Sequence, residues 1–301
     1  MTNVNSTNIV QSTGSVGNTQ NAIEIRELSK SFWAYRLDGI SFNVPSGYIT
    51  GFVGPNGSGK TTTIKLILSI MNSDSGSIKL FGEPAAPALN GQIGVVMDQL
   101  HYPEDWTPKN IETAIAPFYE AWNTESYNSY LTQFGLPPTQ KIKELSHGMK
   151  TKLQLAVALS HNARLLILDE PTSGLDPAAR DDICELLRDF CADGTRTVFF
   201  STHITSDVEK IADFLVFIIG GRIVYSGTKD DLLESYVRII GGKDELSQEQ
   251  QTNVIGYREY STGFDGMVAK EHLSSLPKGI QVESLNLDEI VVYITKEGTV
   301  A

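Results

Sequence analysis

Residues 54–62 constrain this chain more than any other stretch. They read Gly-Pro-Asn-Gly-Ser-Gly-Lys-Thr-Thr and match the pattern G-x-x-x-x-G-K-[ST]. A loop that holds a polyphosphate needs closely spaced backbone N–H donors, glycines that let the main chain approach the oxygens, and one fixed cation. All three are present, so the predicted phosphate-binding residues are Gly54, Pro55, Asn56, Gly57, Ser58, Gly59, Lys60, Thr61 and Thr62.

The residues on either side of the loop support this interpretation. Residues 48–53 predict a short buried strand, and residues 62–70 predict a helix, so a bound phosphate would lie at a helix N-terminus. Lys60 is placed to reach the outer phosphates, and the Thr61 hydroxyl is placed to join the shell of a Mg2+ ion between them. A glycine-rich turn without a ligand is the alternative, and this context argues against it.

Composition limits the class of protein. With 301 residues, 41% of them hydrophobic, the chain can bury a full α/β core and carry a smaller appended unit. A formal net charge of -12 argues against nucleic acid as the main partner, since that binding needs cationic groups. No apolar run approaches the roughly 20 residues that span a bilayer. Residues 1–21 lack a signal-peptide pattern and predict a disordered tail.

The cysteines predict neither a disulfide nor a zinc site. Cys184 and Cys191 are two turns apart in a predicted helix, about 10 Å, which exceeds disulfide geometry. Free buried thiols in a reducing cytosol are expected, and no C-x-x-C or Cys/His cluster suggests zinc.

Three aromatic residues lie near the start of the folded chain. Phe32, Trp33 and Tyr35 occupy three of four consecutive positions. An adenine ring offers a flat face on which an aromatic side chain stacks, so one of them is a candidate platform for a base. Packing against the edge of a sheet explains any one of them equally well.

Two predicted strands end in residues suited to nucleotide hydrolysis. Residues 165–170, Leu-Leu-Ile-Leu-Asp-Glu, predict a buried strand that ends in two carboxylates. Asp169 would hold Mg2+, and Glu170 would polarise a water for in-line attack. His203 follows another buried strand, Thr197–Phe200, and can donate a hydrogen bond to the terminal phosphoryl group.

Two further segments complete the pattern. The strand Ile93–Met97 ends at Asp98-Gln99, and Gln99 can complete a Mg2+ shell or orient a water. The segment Leu-Ser-His-Gly-Met at 145–149 precedes a predicted helix, so Ser146 and the N–H of Gly148 form a second anion-binding helix start.

These motifs and their order resemble the ATP-binding subunit of ABC transporters over roughly residues 22–237. The resemblance implies an α/β fold: a P-loop NTPase, ABC-type ATPase core with an antiparallel β subdomain and a helical subdomain at about 100–160. We expect the ATPase domain at 22–240 and a small C-terminal α+β extension at 241–301. In the helical subdomain, helices are predicted over Ile111–Trp122 and Tyr127–Phe134. The alternating residues Ile280–Thr295 predict a strand pair.

The resemblance also implies roles for single residues and two ligands, ATP and Mg2+. It makes Phe32 the adenine-stacking residue, Gly54–Thr62 Walker A, Gln99 the Q-loop, Asp169 the Walker B acid, Glu170 the general base, Ser173–Asp176 the D-loop with Asp176 at the nucleotide, and His203 the switch histidine. The implied metal ligands are Thr61, Gln99 and Asp169.

Members of the family work as dimers, so the implied partner is a second copy or a paralogous ATPase subunit. Ser146 and Gly148 would then bind the γ-phosphate of ATP held by the opposite subunit. The family's usual Leu-Ser-Gly-Gly-Gln reads Leu-Ser-His-Gly-Met here, with His147 and Met149 as departures. Two interpretations compete: a weakened half-site, or a tolerated variant that keeps Ser146 and Gly148.

The signature variant and the C-terminal extension resemble a branch of separately encoded bacterial exporter ATPases. That branch includes bacitracin-type resistance exporters and exporters of amphipathic phenol-soluble modulin peptides. The implied function is ATP hydrolysis that powers export through a polytopic membrane subunit, at the cytoplasmic face of the cell membrane. A soluble ABC ATPase outside transport and a regulatory ATP-binding module with little turnover are the alternatives.

Overall fold

The computed structural model describes residues 20–297. The predicted tail at residues 1–21 therefore lies outside the described residues, except for Gln20 and Asn21, the second of which begins strand β1. The chain divides into two compact units between Ser226 and Gly227.

The N-terminal unit alternates strands and helices. Its strands are β1 (Asn21–Ser31), β2 (Arg36–Pro45), β3 (Ile49–Val53), β4 (Ser75–Leu80), β5 (Glu83–Pro84), β6 (Ile93–Val96), β7 (Leu165–Asp169), β8 (Thr197–Thr202), β9 (Phe214–Ile219) and β10 (Arg222–Thr228), whose end passes the division. Its helices are α1 (Lys60–Ile67), α2 (Pro108–Ile115), α3 (Thr124–Gln133), α4 (His147–Leu159), α5 (Pro177–Cys191) and α6 (Thr205–Ile211), with short 3-10 helices at Pro87–Gln92, Ala116–Phe118 and Ile142–Glu144.

A six-stranded sheet forms the centre of this unit, in the order β10-β9-β3-β8-β7-β6. β3 runs parallel to β8 and β9, and β7 runs parallel to β6 and β8. All five residues of β3 and all five of β7 are buried, as expected for strands covered on both faces. Because parallel strands end at the same edge, the segments after β3, β7 and β8 meet there.

A second, antiparallel sheet packs against the first. Its order is β2-β1-β4-β5. Phe42 of β2 stacks on Phe52 of β3 and Phe199 of β8, with ring centroids 5.5 and 6.0 Å away, and those two rings lie 5.4 Å apart. This aromatic cluster joins the two sheets in one core. It holds β3, which leads into the phosphate loop, against β2 and β8.

The helical region has a core of its own. Ile111, Tyr127, Leu131 and Leu153 are buried together, and the Tyr127 hydroxyl donates to the carbonyl of Pro108 at 2.9 Å. The helix predicted over residues 111–122 is too long, since α2 ends at Ile115 and a 3-10 helix covers residues 116–118. Pro117 explains this ending because proline has no N–H for the helical ladder.

Helix α4 is anchored to the end of β6. The Gln154 side chain donates to the Met97 carbonyl at 2.9 Å and accepts from the Met97 N–H at 3.0 Å. A Cβ at Gly94 would lie 2.7 Å from the Ala158 carbonyl, so the strand and the helix are in close contact. These contacts fix the position of α4 relative to the central sheet.

The C-terminal unit contains a four-stranded antiparallel sheet in the order β12-β13-β11-β14. Its elements are α7 (Lys229–Ser235), β11 (Tyr236–Gly241), α8 (Gln248–Gln251), β12 (Ile255–Glu259), β13 (Phe264–Ala269), a 3-10 helix (Lys270–Ser275), β14 (Gln281–Glu283) and α9 (Leu287–Glu297). The division between the units precedes the boundary predicted after residue 240, because β11 pairs with β13 and β14.

The strand pair predicted over Ile280–Thr295 is wrong. Only residues 281–283 are extended, and residues 287–297 form a helix. Asn286 and Glu289 begin that helix, since each side chain accepts a hydrogen bond from the other's backbone N–H. Leu287, Ile290 and Ile294 are buried at helical spacing.

Two smaller expectations concern thiols and membrane spans. Cys184 and Cys191 both lie in α5 as free cysteines, as predicted, and burial raises the pKa of Cys184 to about 11. Within residues 20–297, no helix combines the length and the apolar character that crossing a membrane requires.

Candidate active site

A cleft of about 720 Å³ opens at the sheet edge where β3, β7 and β8 end. It brings together eight of the predicted site residues with four others. The lining residues are Ala34, Tyr35, Asn56, Gly57, Gly59, Lys60, Thr61, Thr62, Asp98, Glu170, Ser173 and His203. The cleft therefore combines the phosphate loop with the carboxylate and the histidine that follow the neighbouring strands.

Glycines give the phosphate loop its shape. Gly59 has φ 111° and forms the N-cap of α1, a conformation that side chains strongly disfavour. A Cβ there would lie 2.0 Å from the Tyr35 hydroxyl oxygen, and a Cβ at Gly54 would lie 2.3 Å from the Ile218 carbonyl oxygen. Gly57 faces open space instead. Only glycine fits at positions 54 and 59 without displacing backbone or ring atoms.

Lys60 is the buried cation of the loop, with 6% of its side chain exposed. Its Nζ donates to the carbonyl of Gly54 at 2.7 Å and to that of Pro55 at 3.3 Å. The same Nζ lies 3.1 Å from Glu170 Oε1. The Lys60 ammonium group is therefore held over its own loop and beside the Glu170 carboxylate.

Glu170 joins Lys60 to the predicted switch histidine. Its Oε2 lies 2.8 Å from His203 Nδ1 and accepts a longer bond, 3.4 Å, from the His203 backbone N–H. Because an ionised carboxylate can only accept, Nδ1 carries the proton in this pair. His203 Nε2 can then donate to a phosphate oxygen only when the ring carries a second proton.

The backbone at Glu170 turns sharply away from β7. Its φ is 52°, in the left-handed region that few residues other than glycine adopt. The Glu170 N–H donates to both the carbonyl and the hydroxyl of Ser201, each at 3.1 Å. These bonds to β8 hold the turn that points the carboxylate into the cleft.

Asp169 has the features expected of a metal-binding acid. It is 1% exposed, its Oδ1 accepts from Ser201 Oγ at 2.6 Å, and its buried Oδ2 has no hydrogen-bond partner among the described residues. A buried carboxylate oxygen without a hydrogen-bond partner is suited to a cation, and the Thr61 hydroxyl at the cleft would be the second protein ligand. Residues 20–297 hold no group of three or more His, Cys, Asp or Glu side chains arranged for a metal. A Mg2+ ion would take its other ligands from phosphates and water.

The aromatic residues divide into two groups. Tyr35 lines the cleft, and its hydroxyl donates to the Ser58 carbonyl at 2.6 Å; burial raises its pKa to about 12. Phe32 is 43% exposed and does not line the cleft, although its ring centroid lies 6.3 Å from that of Tyr35. Trp33 is fully exposed. The sequence indicated an aromatic neighbourhood without showing that Tyr35 supports the loop.

The residue after β6 that reaches the cleft is Asp98. Gln99 is exposed and does not line the cleft in this arrangement. Asp98 was not predicted as a site residue, because no spacing signal separates it from its neighbour Gln99. Ser201, which contacts both Asp169 and Glu170, was also missed as a site residue; its place near the end of the buried strand β8 was the available signal.

Three further predicted site residues, which cap or begin helices, do not line the cleft of their own chain. Ser146 caps α4, accepting from the Met149 N–H at 3.2 Å. Gly148 follows in the first turn of that helix. Asp176 caps α5 by accepting from the N–H groups of Ala178 and Ala179, each at 3.0 Å. The bond from Ala179 is the main reason that the pKa of Asp176 is lowered.

Comparisons with known proteins agree with this arrangement. The profile of the family described as "ABC transporter" matches residues 37–173. Nod factor export ATP-binding protein I of Burkholderia lata is 35% identical over 224 residues, which cover 71% of this chain and 73% of that protein. The chain belongs to the ABC transporter ATP-binding proteins. ABC transporter ATP-binding protein YtrB of Bacillus subtilis is 30% identical over 220 residues, covering 72% of this chain and 75% of that protein.

A solved structure confirms the fold of this ABC ATPase. The ATP-binding subunit of an ABC transporter superposes with a TM-score of 0.64 at 28% identity and covers 70% of this chain and 91% of that one. The predicted α/β P-loop fold is therefore confirmed. The family hydrolyses ATP to power transport, so the chain is an ATP-binding and ATP-hydrolysing subunit.

Proposed function

We propose that this ABC ATPase powers export through a separate membrane subunit, with Glu170 as the general base and His203 as its positioning partner. One observation carries the proposal for these residues. Glu170 lies between the cation of the phosphate loop, 3.1 Å away, and His203, 2.8 Å away, in a cleft of nucleotide size. A group that is to polarise water beside a terminal phosphate must occupy this kind of position.

The chain's own residues suggest the order of events. Without a phosphate, Lys60 Nζ lies 3.1 Å from Glu170 Oε1 and occupies the oxygen that would otherwise accept a proton from water. A triphosphate in the loop attracts Lys60 more strongly than one carboxylate does, because it carries more charge. Glu170 Oε1 is then free to accept a proton from water, while His203 keeps Oε2 in place.

We further propose that the nucleotide is bound as its Mg2+ complex. Asp169 and Thr61 would hold the ion, with Gln99 as the third ligand after a movement of its exposed side chain. The ion would supply neutralisation of phosphate charge. Phe32 is the proposed stacking partner of adenine, since it lies on the same loop as Tyr35 and is exposed.

The position of the signature residues supports a dimer. Ser146 and Gly148 form the start of a helix suited to an anion, yet neither lines the cleft of its own chain. In a sandwich of two subunits, each helix start would face the phosphates held by the other loop. Asp176 would lie at the same interface, so each chain would contribute to two sites.

Export is supported by the names of relatives, since the Burkholderia protein is named for Nod factor export. The cargo class proposed here, a peptide or antibiotic-like amphiphile such as a phenol-soluble modulin, rests on the signature variant and the C-terminal unit. The partner would be a polytopic membrane protein, with the ATPase peripheral to it at the cytoplasmic face.

The experiment is affinity capture of the tagged chain from detergent-solubilised native membranes, with and without ATP. Glu170→Gln serves as a variant that retains ATP, and Lys60→Met serves as one that binds it weakly. A stoichiometric polytopic membrane protein supports the proposal, and loading its vesicles with candidate peptides then tests the cargo. Ribosomes, a scaffold protein or no partner would instead indicate a soluble ATPase or a regulatory module.

A further inference from the structure

The signature helix and the D-loop of this chain are joined by a side chain that the usual family motif lacks. His147, the first residue of α4, places its Nε2 3.0 Å from the Ser173 carbonyl oxygen. Because a carbonyl oxygen can only accept, Nε2 is the protonated nitrogen and donates this bond.

The contact extends beyond one hydrogen bond. The His147 ring lies over Gly174, where a Cβ would be 3.5 Å from His147 Cδ2. Beside it, a Cβ on Gly148 would meet Leu175 Cδ2 at 3.1 Å. The first turn of α4 therefore packs along the D-loop, and the imidazole provides the polar contact between them.

The Ser173 carbonyl, to which His147 donates, belongs to the turn that follows Glu170, the proposed general base. The Ser173 N–H donates to the Glu170 carbonyl at 3.1 Å, which closes that turn. Ser173 also lines the cleft together with Glu170. Two hydrogen bonds thus connect the start of α4 to the backbone of Glu170.

We propose that His147 is a positioning residue that links the trans half-site to the cis base. This rests on the proposed function, in which Ser146 and Gly148 bind the phosphate held by the opposite subunit. When α4 engages that phosphate, His147 holds the Ser173 turn and with it the Glu170 carboxylate. The glycine of the usual family motif has no side chain to make this bond, so the histidine adds a contact that the usual motif lacks.

Two amide substitutions test the proposal, because they differ only in reach. In His147→Gln the amide nitrogen takes nearly the place of Nε2, and in His147→Asn it takes that of Nδ1, one bond shorter. We expect His147→Asn and His147→Gly to lower kcat for ATP hydrolysis by about three- to tenfold, the value of one lost hydrogen bond. KM for ATP should stay within about twofold, because Walker A is untouched. His147→Gln should keep more than half of the wild-type kcat.

The control is His272→Asn, which replaces a half-buried histidine of the C-terminal unit. Equal rates for the Gln and Asn variants, or a change in KM without one in kcat, would overturn the proposal.

A second measurement does not depend on turnover. Amide hydrogen exchange of residues 172–176 in the nucleotide-free protein should be faster in His147→Asn than in wild type and unchanged in His147→Gln. Unchanged exchange in all variants would count against the link. If wild type and Glu170→Gln hydrolyse ATP equally, the proposed function fails, and the exchange data still decide whether His147 holds the turn.

Discussion

Lys60 Nζ lies 3.1 Å from Glu170 Oε1, so the cation of Walker A and the carboxylate after Walker B form an ion pair within the cleft. Both side chains are largely buried, at 6% and 12% exposure, so solvent screens the pair weakly. A nucleotide that binds to this site must compete with Glu170 for Lys60. In the proposed function, this competition would couple nucleotide binding to hydrolysis through one lysine.

The first prediction concerns nucleotide affinity. Glu170→Gln removes the charge that competes for Lys60, and we expect it to bind ATP about three- to tenfold more tightly than wild type. Equilibrium binding of a fluorescent ATP analogue measures this. Glu185→Gln, which removes an exposed carboxylate from α5, should leave the affinity unchanged. Weaker binding by Glu170→Gln would contradict the competition.

The second prediction compares two lysines on one helix. Lys60→Met should weaken ATP binding by about 50- to 100-fold, because a buried charge-assisted contact to phosphate is lost. Lys65→Met, five residues further along α1 and outside the cleft, should change it by less than about twofold. Titration calorimetry of both variants decides this. A similar loss in both would mean that general helix destabilisation and not the phosphate contact explains the result.

The third prediction compares two glycines of the loop. In Gly59→Ala the new Cβ would meet the Tyr35 hydroxyl at 2.0 Å and Leu37 Cδ2 at 2.8 Å, at φ 111°. We expect a loss of about 2–4 kcal/mol in the free energy of unfolding. Gly57→Ala faces open space and should lose only about 1–2 kcal/mol from its φ of 78°. Urea unfolding measures both, and an equal loss would show that the contact with Tyr35 is unimportant.

The fourth prediction concerns acid and the C-terminal unit. Burial alone would raise the pKa of Asp265, yet hydrogen bonds from Tyr293, Tyr260 and Arg238 outweigh it and lower that pKa. A lowered pKa adds stability that is present above the unfolded value of 3.8 and is lost as the pH falls through the folded value. Asp265→Asn should cost about 2–4 kcal/mol at pH 7.

The difference between wild type and Asp265→Asn should narrow below about pH 4. Hydrogen exchange of the β11 and β13 amides measures the stability of this unit directly. Tryptophan fluorescence would not report on it, because Trp33, Trp106 and Trp122 all lie in the N-terminal unit. A difference that stays constant down to pH 3 would show that the Asp265 charge does not stabilise the unit.

The central site could be predicted because its residues are local in sequence. The glycine pattern around Lys60 and the apolar run before Asp169 each combine a strand, a turn and a chemical group within ten residues. Parallel pairing then brings them together, since the strands that precede them flank β8. The pair between Lys60 and Glu170 could not be predicted, because side-chain contacts across the sheet edge leave no spacing signal.

The errors have separate physical reasons. The alternating apolar residues of segment 280–295 suggested strands, while the cap that Asn286 forms with Glu289 and the burial of Ile290 and Ile294 favour a helix. The α2 helix ends early because Pro117 interrupts the helical pattern. Tyr35 and Asp98 face the cleft through loop geometry, which propensity and periodicity do not determine.

ATP hydrolysis by the purified chain, measured against protein concentration for wild type and Glu170→Gln, tests the shared site and its base most directly. We expect specific activity to rise with concentration as two half-sites combine, and Glu170→Gln to hydrolyse ATP at least about 100-fold more slowly than wild type. Specific activity that stays constant with concentration would contradict the shared site. Equal rates for the two proteins would contradict the role of Glu170.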